Sequence, residues 1–167
     1  MKSALLDITK SNPLVEQASP IPVDRIPIQD WVRDSCKECK YHQKSWSCPP
    51  GVGTLVQTQK KLSSYSSAIF LRFRTSEDRT ALEQAVLDME SAIRAAGFPR
   101  TMGFFTSPCT ACRVCRYPEP CPRPERCRPT AESWGIDLMV ASQEAGLPLE
   151  MAKAGDEFKP VTLILVE

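Results

Sequence analysis

Apolar and polar positions alternate over residues 68–74. Ile69, Leu71 and Phe73 fall on one side and Arg72 and Arg74 on the other, which predicts a strand with one wet face. Over residues 76–96 the period lengthens. Leu82, Val86, Met89 and Ile93 form one helical stripe, with Thr75 or Ser76 suited to the N-cap, Glu77 and Asp78 to the first turn, and Gly97 and Pro99 to the stop. Residues 101–106 give a second strand, and residues 54–64 a helix on Leu55, Gln59 and Leu62. Pro129 and Thr130 open a short helix that Gly135 ends. Residues 137–145 form another, closed by Gly146 and Pro148, with a strand over 136–140 as the alternative. Residues 161–166 are almost wholly apolar and rich in β-branched side chains, as in an interior strand covered on both faces. Residues 1–28 carry Pro13, Pro20, Pro22 and Pro27 and little periodicity, and read as an extended arm before a single domain over 29–167. The expected fold is α+β: a small mixed sheet of three or four strands covered by helices, with two cysteine-rich cluster-binding loops. A strand–helix–strand unit spans 68–106, and its crossover would be right-handed if its strands were neighbours.

Composition narrows the function classes. The chain has 167 residues, 42% of them apolar and 25% charged, so its unfolded form could bury an ordinary core. A net charge of +1 gives no field of either sign, which argues against nucleic acid or an anionic membrane as partner. A single histidine, His42, excludes sites built on several imidazoles. The first residues lack the uninterrupted apolar core of a secretory signal, and no apolar run approaches the ~20 residues of a membrane span. The expected compartment is therefore cytoplasmic and reducing. Eight cysteines there read as metal ligands before disulfides.

Those cysteines fall into two groups. Cys109, Cys112 and Cys115 follow one another at Cys-x2-Cys-x2-Cys spacing, with Cys121-Pro122 and Cys127 downstream. Such a run lets one tight loop wrap a cubane and present a thiolate to each of three irons, as in bacterial ferredoxins, where a later Cys-Pro ligates the other cluster. Here the gap before Cys121 is five residues rather than three. The other group is Cys36, Cys39 and Cys48, the last opening a Cys-Pro-Pro-Gly run; alone, this spacing suits zinc equally well. Three and three, with Cys121 and Cys127 as fourth ligands, make enough thiolates for two 4Fe-4S clusters. One cluster with spare thiols is the alternative, and the spacing assigns neither Cys121 nor Cys127 to a particular group. Arg113, Arg116, Arg123 and Arg126 would favour an anionic cluster, and six prolines from Pro108 to Pro129 would stiffen its loop. Tyr41, Trp46 and Tyr117 lie among the ligands, where they would pack or shield. The chain carries no radical-type Cys-x3-Cys-x2-Cys, no phosphate loop and no dinucleotide fingerprint.

The elements Cys36-x2-Cys39-x-Tyr41-x4-Trp46-Ser47-Cys48-Pro49-Pro50, Cys109-x2-Cys112-x2-Cys115-x5-Cys121 and Trp134-Gly135-Ile136-Asp137 resemble the predicted metal-binding proteins of anaerobic bacteria and archaea. The likeness covers residues 30–147. It implies iron–sulfur binding through the matching cysteines, Cys36 to Cys121; Cys127 stands outside the pattern. Where members often have glycine after the first tyrosine, this chain has His42 and Gln43. The expected role is electron transfer, one electron at a time, to or from a redox partner enzyme. The alternatives are a substrate-binding or catalytic cluster with an open iron, and a structural zinc module.

Overall fold

The computed structural model describes residues 2–74, 78–149 and 159–167. In chain order the elements are α1 (Lys2–Lys10), β1 (Val15–Pro22), α2 (Asp30–Ser35), α3 (Leu55–Leu62), β2 (Ser67–Phe73), α4 (Arg79–Ala95), β3 (Thr101–Gly103), α5 (Leu138–Glu144) and β4 (Val161–Val166). Short 3-10 turns stand at Val23–Arg25, Cys36–Glu38, Pro124–Arg126 and Glu132–Trp134.

The strands lie in the order β1-β2-β4-β3. The apolar run of β4 takes the interior place its composition predicts, with Ser67 of β2 opposite Val166 on one side and Thr101 of β3 opposite the same residue on the other. Each of these pairs is antiparallel, so the sheet is not mixed as expected. Strands β2 and β3 do run the same way, but β4 separates them, and a crossover between neighbours does not arise. The result is an α+β fold with, among the described residues, a four-stranded sheet and five helices.

Residues 1–28 are not an arm. Helix α1 buries Leu5 and Thr9, and β1 pairs with β2 along its length, placing Pro20 opposite Ile69 and Pro22 opposite Ser67. This strand is the sheet's edge, where proline is tolerated because one side of the backbone has no ladder to complete.

Strand β2 differs from expectation too, because both its faces are covered. Ala68 and Phe70 join Leu163, Leu165, Phe104 and Trp134 in one core. Ile69, Leu71 and Phe73 meet the predicted stripe of α4, Leu82, Val86, Met89 and Ile93, in the other. Arg72, read as wet, is half-buried: it donates to Gln17 Oε1 at 2.7 Å and to the carbonyls of Leu147 and Pro148 at 3.0 and 2.8 Å.

Caps explain the helix starts. Thr54 and Gln57 form a reciprocal capping box on α3. Asp78 accepts from the Thr80 and Ala81 amides at the head of α4, while Thr75 and Ser76, proposed as its cap, lie outside the described residues. Asp137 does the same for α5, which excludes the alternative strand there. The short helix expected before Gly135 is the 3-10 turn Glu132–Trp134, with Gly135 left-handed at φ +81°. Among the described residues no helix is long and apolar enough to cross a membrane.

Candidate metal centre

Both cysteine segments are tied to one stretch of chain, residues 129–137. Beyond β3, Phe105 bridges Thr130 and donates to the Pro129 carbonyl at 2.9 Å. Residues 106–129, with five of the eight cysteines, therefore form an excursion closed at its neck. Just past that neck Ile136 bridges Ile28, Gln29 donates to the Gly135 carbonyl at 2.7 Å, and Asp137 donates to that of Pro27 at 3.1 Å. The chain that runs through α2 to Cys36 is thus lashed to the chain that leaves Cys127.

The excursions also touch each other. The Cys109 amide donates to Ser47 Oγ at 3.0 Å, and Trp46 Nε1 donates to the Glu119 carbonyl at 2.7 Å. The Trp46 and Tyr117 rings meet edge to face at 5.0 Å. Arg79 holds Ser107 Oγ and the Pro108 carbonyl, both at 2.9 Å, and its hydrogen bond to Tyr41 lowers that phenol's pKa. Trp46, Tyr41 and Tyr117 are thus stitches between the two loops.

The thiols divide three and five. Cys36, Cys39 and Cys48 line one cavity of about 240 Å³ together with His42 and Glu132. Burial pushes the Cys48 thiol up to about 11 and raises that of Cys36, with Glu132 adding to the latter. Cys36 Sγ lies 4.0 Å from the Glu132 carbonyl. In the second excursion Cys109, Cys112 and Cys115 line another cavity. Cys127 and Cys109 act on each other: Cys127 draws the Cys109 thiol down to about 7, and Cys109 raises Cys127. Cys115 and Cys121 lie close enough to act on Cys127 as well. Cys121 and Cys127, the two that spacing left unassigned, therefore both stand with the second group.

Helix α4 supports that group from beneath. Glu83, buried, accepts from the Thr110 amide at 2.8 Å and the Thr110 hydroxyl at 3.0 Å. Gln84 receives Arg126 at 3.0 Å. Glu90, fully buried, takes a fork from Arg128 at 2.7 and 2.8 Å, a bond from Arg94 at 2.6 Å, and the Gly103 amide at 2.6 Å. Arg128 also holds the Cys127 carbonyl at 2.9 Å. Both ends of the thiol run are fastened to one rigid element. Of the arginines expected to serve a cluster, Arg123 donates to the Ala111 carbonyl at 3.1 Å and Arg116 pairs with Glu119 at 3.8 Å, so they brace the loop.

The donor set suits a soft metal. The Ala111 amide donates to Cys109 Sγ at 3.5 Å, a bond that favours sulfur in its anionic form. Arg33 donates to the Gly53 carbonyl through one nitrogen while its Nη1 is buried without a partner, and its charge is felt by Cys36. An anion at the first group would satisfy that orphan donor. Among the described residues no three His, Cys, Asp or Glu side chains gather closely enough to hold a single ion. A tetrahedral ion with bonds of about 2.3 Å to sulfur needs its thiolates crowded, whereas the ligands of a cubane each bind a different iron and stand further apart.

No curated protein and no solved structure matches the chain. A profile described as predicted metal-binding protein, DUF2284, matches residues 19–166, a span that begins within β1 and ends with β4, and the chain belongs to that family.

Proposed function

We propose that the chain is an iron–sulfur protein with a centre in each excursion, exchanging single electrons with a partner enzyme. The observation that carries this reading is the Cys-x2-Cys-x2-Cys run, whose Cys109, Cys112 and Cys115 line one cavity in a closed loop that also carries Cys121 and Cys127. Bound there, a 4Fe-4S cluster would supply reversible one-electron chemistry. The residues of the chain do the rest. Glu83, Gln84 and Glu90 fix the loop through Thr110, Arg126 and Arg128. Trp46 packs on Tyr117 beside it. Val114, between two of the thiols, is exposed and offers a partner a short approach to the ligands.

Anaerobically prepared protein should contain iron and sulfide in equal amounts, about eight of each for two cubanes and about four for one. Zinc without sulfide would overturn the reading. Cys115→Ser should strip iron from the second centre or degrade it to a three-iron form, since a hydroxyl is a poor substitute for a soft thiolate. Cys127→Ser should lose iron to the same extent, because Cys127 closes the loop that carries Cys109, Cys112 and Cys115. Undiminished iron in Cys127→Ser would pass the fourth position to Cys121.

A further inference from the structure

With Cys121 and Cys127 drawn to the second excursion, the first group holds three thiols, and no fourth cysteine lines its cavity. That cavity does not end at the sulfurs. Ser35, Thr106 and Glu132 form its wall and equally the wall of a neighbouring cavity of about 340 Å³. The second chamber is floored by Val32 and Ile136, which are buried, and rimmed by Trp31 and Met139, 62% and 41% exposed. A large indole thus stands mostly exposed at the lip of a trough that leads to three thiols. Neither chamber has a lysine or arginine among its described lining residues, and Glu132 supplies a carboxylate.

We infer that this two-chambered cleft binds a small organic molecule with an apolar, ring-sized body and one sulfur or oxygen donor. The body lies against Trp31 and Met139, and the donor reaches the metal position that Cys36, Cys39 and Cys48 leave open. The inference rests on the reading of the first group as a metal centre. A site with three protein ligands and one free position is the arrangement by which metals bind substrate directly, as distinct from the closed sets of structural and electron-transfer sites. The second excursion, with five thiols, has ligands enough to be closed. One chain would then pair an electron-storing centre with a ligand-binding one, their loops in direct hydrogen-bond contact through Cys109 and Ser47.

Benzyl mercaptan and ethanethiol serve as probes, sharing a thiol and differing in the ring. They are titrated anaerobically into iron-loaded, reduced full-length protein, and the electron paramagnetic resonance of the clusters is followed. The expected result is a shift in one of two signals, with benzyl mercaptan half-saturating at a concentration about ten-fold or more below ethanethiol, as burial of a ring predicts. Trp31→Ala, at an exposed position that leaves the fold and iron content intact, should remove most of that difference while ethanethiol binding stays unchanged. Loaded protein whose spectrum neither thiol alters would overturn the inference alone, and would give the fourth position to a protein donor such as His42 or Glu132. Equal affinities of the two thiols would overturn the apolar chamber. Failure to bind iron and sulfide at all would remove the reading beneath it as well.

Discussion

Glu90 gives up water completely, and what it receives in exchange sets its importance. Its two carboxylate oxygens hold Arg128, Arg94 and the Gly103 amide, joining α4, β3 and the residue after Cys127 at a single side chain. Glu90→Gln keeps the shape and one acceptor but strands Arg128, which is 13% exposed, opposite a neutral amide. Breaking a buried ion pair from one side costs about 3–5 kcal/mol, so the urea midpoint should fall correspondingly. A loss below about 1 kcal/mol would mean that the carbonyls of Glu125 and Cys127 satisfy Arg128 unaided. Glu90 and Glu83 were not singled out from the sequence, because glutamate on a helix reads as a solvated face. The signal was their spacing of seven beside the apolar stripe, which puts both on the side that faces the sheet. The thiols, in contrast, were legible from spacing alone. Their division was not, because distance along a proline-rich loop says nothing about where residues 116–127 fold back.

At the scale of elements, the 3-10 turn Glu132–Trp134 and its left-handed Gly135 decide how the two excursions meet. A Cβ on Gly135 would stand 2.7 Å from Leu55 Cδ1 and 3.1 Å from the Gln29 carbonyl, at a φ that side chains resist. Gly135→Ala should therefore lower stability by about 1–3 kcal/mol and displace Glu132 from Cys36, visible in the reactivity of the Cys36 thiol in metal-free protein. Unchanged stability and thiol reactivity would mean that Leu55 and the segment at Gln29 yield without cost. The elements that the sequence revealed best were those with long, uniform patterns: α4, α3 and β4. Those it hid were α1 and β1. Helix α1 is only nine residues long, and the alternation of β1 is interrupted by Pro20 and Pro22, so a real edge strand looked like an arm. The one-wet-face reading of β2 failed for a related reason. Ala68 and Phe70 were available to bury the second face, but the two arginines drew attention from them.

At the scale of the whole molecule, holding metal and holding the fold are expected to be coupled. Helix α4 packs its apolar stripe on the sheet and fastens both ends of the second thiol run through Thr110, Arg126 and Arg128, so a loop freed of its metal would loosen that grip. Removal of the metal should speed amide hydrogen exchange in α4 together with the loops. Exchange in α4 as slow as in the loaded protein would show that the loops are hung on an independent scaffold. The place of β4 carries a consequence of another kind, in time. As the chain leaves the ribosome, all eight thiols emerge before the strand that joins β2 to β3. Until then β2 has only the edge strand β1 for a partner, and the helix that will grip the thiol run has half a sheet to rest on. Long-range pairing of this sort is slow to form. Eight soft, reactive thiols must therefore stay unoxidised until β4 inserts between strands made long before it.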